Sequence, residues 1–79
     1  MPVVRFFARF REEIGMDRIW IDFEGSLKEI LNILIKDHPE VRGFVEEGFV
    51  AVNCRIVEDL EVRVERFDEV AILPRFSGG

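Results

Sequence analysis

This 79-residue chain predicts an α+β domain, a mixed sheet with one main helix packed on one face. Three stretches carry that expectation. Val3 to Phe10 alternates like a strand, Ser26 to Asp37 has a capped helical pattern with a single apolar stripe, and Glu69-Val70-Ala71-Ile72-Leu73 is a β-type run stopped by Pro74.

In chain order, Val3 to Phe10 reads as one strand with Val4, Phe6, Ala8 and Phe10 on the core face and Val3, Arg5, Phe7 and Arg9 on the other. Arg11 to Gly15 reads as a brief helical turn closed by Gly15. Arg18 to Phe23 reads as a second strand with Ile19, Ile21 and Phe23 inward and Trp20 outward. Ser26 and Glu29 have the capping-box spacing, in which each side chain satisfies a free backbone N–H at a helix start. Leu27, Ile30, Leu31 and Leu34 then form one buried stripe, and Pro39 ends the helix by disfavouring helical geometry at His38. Ile33 lies off the stripe and is expected to pack under the connection from Glu40 to Gly48. Phe49 to Asn53 reads as a third strand, Asn53-Cys54 as a tight turn, Ile56-Val57 as a short strand and Glu69 to Leu73 as the last.

Composition narrows the functional classes. A net charge of −5 argues against a phosphate-backbone partner and for a protein partner with a basic site. Residue Cys54 has no second cysteine to pair with, and Cys54 with His38 alone cannot make a metal site. No apolar run approaches the ~20 residues of a membrane span, and Met1 leads directly into strand pattern, so a cytoplasmic location is expected. Charged residues at 34%, no Gln, and amides only at Asn32 and Asn53 point to a hot environment. The acidic pairs Glu46-Glu47 and Glu58-Asp59 have no nucleophile beside them, and His38 suits the helix C-terminus better than a general base. The chain is not expected to be an enzyme on its own.

A sheet covered on one face leaves the other bare. Alternation places Phe7, Trp20, Phe49, Ala71 and Leu73 there, beside Arg5 and Arg9. Either this is an apolar contact surface with a charged rim, or it is a scatter of surface hydrophobes partly covered by residues 58 to 67. If the first and last strands pair, Phe7 neighbours Leu73 at the root of the terminus.

The chain ends in Gly78-Gly79. At an average glycine usage of about 7% this occurs by chance roughly 0.5% of the time, so a role is worth seeking. A carboxylate on a thin flexible tail, here residues 75–79, can be threaded into a partner's narrow active site and activated there.

Phe6-Phe7-Ala8, Arg11-Glu12 with Gly15, Ala51-Val52-Asn53, Asp68-Glu69-Val70-Ala71-Ile72-Leu73-Pro74 and Ser77-Gly78-Gly79 together resemble the ubiquitin-like sulfur carriers of β-grasp fold (MoaD/ThiS), in particular the small subunit of molybdopterin synthase. The resemblance covers nearly the whole chain. It implies one domain over residues 1–79, whose Gly79 an E1-like enzyme adenylates with ATP before a sulfur donor protein converts it to a thiocarboxylate. Gly78 would keep the tail slim. Phe7, Ile56 and Leu73 would be apolar contacts for the synthase large subunit, in a heterotetramer whose catalytic side chains lie on that subunit. No cofactor or metal would be bound by the carrier itself, and no nucleic acid or membrane is implied as a partner.

Three places depart from the family pattern. Cys54 stands where glycine or another turn-tolerant residue is usual, so the turn there either carries mild strain or runs differently. Cys54 reads as a small turn residue or, alternatively, as a thiol that handles sulfur. Phe67 replaces a glycine before Asp68, and Arg75-Phe76 replaces a proline and a small residue, which bears on which enzyme or large subunit accepts the tail. The same Gly-Gly end would also serve a thiamine-pathway carrier or a ubiquitin-like modifier that joins Gly79 to a lysine.

Overall fold

The last strand has partners on both sides. In the computed structural model, which describes residues 1–75, β1 (Val3–Phe6), β2 (Arg18–Trp20), β4 (Phe49–Val52), β5 (Arg55–Ile56) and β7 (Glu69–Leu73) form a sheet in the order β2-β1-β7-β4-β5. The β1–β7 pair is parallel and the others antiparallel, so the sheet is mixed as expected. The expectations for Phe76, Gly78 and Gly79 lie outside the described residues.

Helix α2 (Leu27–Asp37) covers one face, and its stripe of Leu27, Ile30, Leu31 and Leu34 is buried with Val4, Phe6, Val50, Val70 and Ile72 in one core. Its start is fully satisfied. Ser26 Oγ accepts from the Glu29 N–H at 3.1 Å while Glu29 Oε1 accepts from the Ser26 N–H at 3.0 Å. The Leu27 and Lys28 N–H groups, which a helix cannot satisfy internally, donate to the Val62 and Leu60 carbonyls at 2.8 and 2.9 Å. The 58–64 segment therefore serves the helix N-terminus. A two-residue ladder between β3 (Gly25–Ser26) and β6 (Arg63–Val64), not anticipated because two-residue strands have no period, holds it there. His38 caps the other end with its N–H on the Leu34 carbonyl at 2.8 Å, and Ile33 packs at the core margin.

The first strand is shorter than its alternation suggests. It stops at Phe6, and the chain turns through Ala8 at φ 53° into α1 (Ala8–Ile14), which Gly15 closes in the left-handed region. Phe10 thus reaches the core from a helix, and Ala8 and Arg9 are not on strand faces. Strand β2 ends at Trp20, before Phe23, whose ring bends over Gly25 and stays 37% exposed. Asn53 belongs to the turn, β5 is shifted one residue earlier than Ile56-Val57, and the 40–48 connection contains a 3₁₀ turn (Pro39–Val41) and α3 (Arg42–Glu47). Six residues are too few for a helical period to declare itself.

Gly48 joins α3 to β4 where backbone meets backbone. A Cβ there would collide with the Leu73 carbonyl oxygen and lie 2.6 Å from the Phe10 ring. Gly48→Ala is expected to cost about 1 to 3 kcal/mol in urea unfolding, since the collision is with main chain rather than a flexible side chain. An unchanged midpoint would contradict this close approach.

Candidate functional site

Period two in β7 sends Val70 and Ile72 under α2, and Glu69, Ala71 and Leu73 to the opposite face. Arg5 and Ala51 flank Ala71 across the sheet, Ile56 lies beyond Ala51, and Phe49 is opposite Leu73. Two adjacent alanines in the middle of a sheet make a depression. It is an apolar groove of about 410 Å³ with Ala51 and Ala71 in its floor, and Phe7, Ala8, Leu73, Pro74, Cys54 and Ile56 also line it. Among the described residues, Glu69 is its one charged lining residue.

Phe7, Ile56 and Leu73, expected as contacts, all line this groove, and Ile56 is 55% exposed. The β1–β7 pairing brings Phe7 to Leu73 as anticipated, with the Phe7 N–H on the Ile72 carbonyl at 3.2 Å. Trp20 and Phe49 do not join them. Trp20, 57% exposed, sits opposite Val3 in the β1–β2 register, with β1 between it and the β7 floor of the groove. Phe49 is covered by Arg75, whose guanidinium lies 4.3 Å above the ring centroid. The rim contains Arg5, which pairs with Glu69 at 3.3 Å and stacks on Phe7 at 4.8 Å. Arg9 is instead on α1, bonded to Glu47 at 2.7 Å and Glu13 at 3.3 Å. Ala8, Ala51 and Pro74 were not singled out from sequence; the alternation of β4 was the available signal for Ala51.

The far end of the groove is built by Asn53. Its Nδ2–H donates to Asp68 Oδ1 and its Oδ1 accepts from the Glu69 N–H, both at 3.0 Å, tying the β4–β5 turn to the start of β7. Asn53 and Cys54 have φ 49° and 70°, the double positive φ of a two-residue hairpin turn, with Val52 opposite Arg55. The turn therefore keeps the geometry that favours glycine, and Cys54 carries strain of about 1 kcal/mol. Its thiol is exposed at the groove wall. Phe67 is 88% exposed in the turn before Asp68, where the Asp68 carboxylate accepts from the Glu65 N–H at 2.8 Å and closes the turn in place of a glycine.

Chemically this site can hold apolar side chains and little else. Among the described residues no three His, Cys, Asp or Glu side chains gather as for a metal ion, and no helix is long and apolar enough to cross a membrane. The buried Arg5 Nε has no hydrogen-bond partner among the described residues and faces the cost of an unmade hydrogen bond.

Known proteins share this architecture. The model of the ThiS family matches residues 4–79. A molybdopterin synthase sulfur carrier subunit from Dictyostelium discoideum is 31% identical over 80 residues, covering 96% of this chain and 93% of the relative. Among solved structures, the complex of subunits 1 and 2 of molybdopterin-converting factor from Helicobacter pylori contains a chain with TM-score 0.76 at 23% identity, covering 99% of this chain and 97% of that one. Small archaeal modifier protein 1 from Methanosarcina acetivorans has TM-score 0.80 at 22% identity, covering 99% and 95%. At these identities the two structures establish the fold, the ubiquitin-like β-grasp.

Hydrogen bonds from Asn53 and then from the Glu65 N–H hold the Asp68 carboxyl below its ordinary pKa. A carboxylate so lowered adds stability above its unfolded pKa, about 3.9, and loses it as pH falls through the folded value. Asp68→Asn is expected to lower the urea midpoint near pH 6 and to lower it less at about pH 2.5. A gap that did not shrink with acid would contradict the assignment.

Proposed function

The chain belongs to the ThiS family, and on that premise we propose that it is the sulfur carrier subunit of a molybdopterin synthase. The observation that carries the proposal is the position of the groove: its lining includes Leu73 and Pro74, at the end of the strand that leads into Ser77-Gly78-Gly79. A partner docked there holds the reactive end in register. Four residues beyond Arg75 reach up to about 13 Å at ~3.3 Å each, enough to enter a pocket while the domain stays bound.

The chemistry belongs to the terminus and its partners. An E1-like enzyme transfers AMP from ATP to the Gly79 carboxylate and releases pyrophosphate, turning a poor leaving group into a good one. Sulfide-level sulfur from a donor then attacks the acyl carbon, AMP leaves, and a thiocarboxylate results. Each carrier delivers one sulfur to the pterin precursor, so two thiocarboxylates are used to build the dithiolene of molybdopterin, and water restores each carboxylate. The large subunit supplies the catalytic side chains, in keeping with the two-subunit complex of the Helicobacter pylori neighbour. Attack on the same adenylate by a lysine amine would make the chain a protein modifier. That second reading draws on fold likeness to the archaeal modifier alone, whereas the carrier reading also draws on the 31% identical relative.

Phe7→Glu is expected to weaken binding to the large subunit at least roughly thirtyfold, the cost of setting an unpaired charge into an apolar contact. Its urea midpoint should stay near that of the wild type, because Phe7 is not part of the core. Undiminished binding would remove the groove from the interface. Deleting Gly79 is expected to abolish carrier-dependent ATP–pyrophosphate exchange by the adenylating enzyme, and persistent exchange would contradict the terminal chemistry.

A further inference from the structure

The root of the tail is fastened to the domain by one side chain. Arg75 Nε–H donates to the Glu47 carbonyl oxygen at 3.0 Å, and the carbon of the same guanidinium lies over the Phe49 ring, 4.3 Å from its centroid. This is the shortest of the four cation–aromatic contacts among the described residues. The acceptor is a carbonyl of the last turn of α3, where a cation is favoured. The Glu47 carboxylate is itself engaged by Arg9 at 2.7 Å, which leaves the carbonyl as the group Arg75 uses. Gly48, next in sequence, lets this corner press against the Leu73 carbonyl. Backbone packing and the Arg75 side chain thus act on the same short stretch just before the tail.

We propose that Arg75 is a positioning residue: it clamps the chain to the α3–β4 corner and so fixes the point from which the chain continues toward Gly79. The inference rests on the reading of Gly79 as the reactive end. With the clamp in place, the entropic cost of ordering the tail root is met within the free carrier rather than at the moment of docking. Losing it should weaken recognition by the adenylating enzyme without altering chemistry four residues away, so KM rises and kcat holds.

The test is a double-mutant cycle on carrier-dependent ATP–pyrophosphate exchange with Arg75→Ala, Phe49→Leu and both together. Phe49→Leu keeps apolar bulk opposite Leu73 and removes only the aromatic face. Each single change is expected to raise KM roughly five- to tenfold at constant kcat, and the double change to be no worse than the worse single one. If Arg75 instead contacted the enzyme directly, Phe49→Leu would leave KM unchanged or the two effects would add, and either result overturns the proposal. A second readout needs no enzyme. The Arg75 δ-methylene protons are expected upfield of their random-coil NMR position in the wild type and back at it in Phe49→Leu; no upfield shift in the wild type overturns the clamp. Absence of exchange with the wild-type chain, with the NMR shift present, would instead count against the carrier reading and leave the clamp standing.

Discussion

Everything the domain presents is organised by the pairing of β7 with β1 on one side and β4 on the other. A strand hydrogen-bonded along both edges is the least free to slip, and a slip of one residue would exchange its two faces. Here that exchange would bury Glu69 and expose Val70 and Ile72, which are wholly enclosed under α2. The register is therefore held by the core. It is read out on the other face, where Ala71 and Leu73 fall beside Ala51, Ile56 and Phe7. The last strand among the described residues is the central strand of the sheet, and so the chain leaves Leu73 from the most constrained part of the fold.

The groove owes its shape to absence of bulk as much as to apolarity. Larger residues in place of Ala51 and Ala71 would fill the floor, and the surrounding Phe7, Leu73 and Ile56 would become a flat hydrophobic surface rather than a receptive one. The ends are closed by polar devices. Arg5 lies between Glu69 and the Phe7 ring, and Asn53 bridges the hairpin turn to Asp68 and Glu69. Arg75 covers Phe49 and so marks where the groove stops and the tail begins.

Much of this was legible in the sequence because it rests on local rules. The capping box at Ser26 and Glu29, the Leu27–Leu34 stripe, the stop at Pro39, the turn at Asn53-Cys54 and the bounds of β7 arise from spacing and side-chain chemistry within a few residues. Strand alternation also puts Phe7, Ala71 and Leu73 on one face, with Phe7 beside Leu73 once the first and last strands are paired. What escaped depends on contacts between distant segments. The end of β1 at Phe6 is imposed by a turn at Ala8 that an alternating pattern through Phe10 disguises, because a helix two residues later happens to bury the same phenylalanine. Phe49 and Trp20 do lie on the bare face, but their separation from the groove required knowing where Arg75 lies for the one and the β1–β2 register for the other.

Membership of the ThiS family rests on the family model and on the relative that is 31% identical, and the apolar groove lies along β7, the strand that ends at Leu73. On the proposed function, the domain holds Gly79 for chemistry done to it by others. The most direct measurement is the intact mass of the full-length chain after incubation with ATP, the adenylating enzyme and a sulfur donor, beside a chain lacking Gly79. An oxygen-to-sulfur increment is predicted on the full-length chain alone. No increment, with the enzyme active on a control carrier, would contradict it.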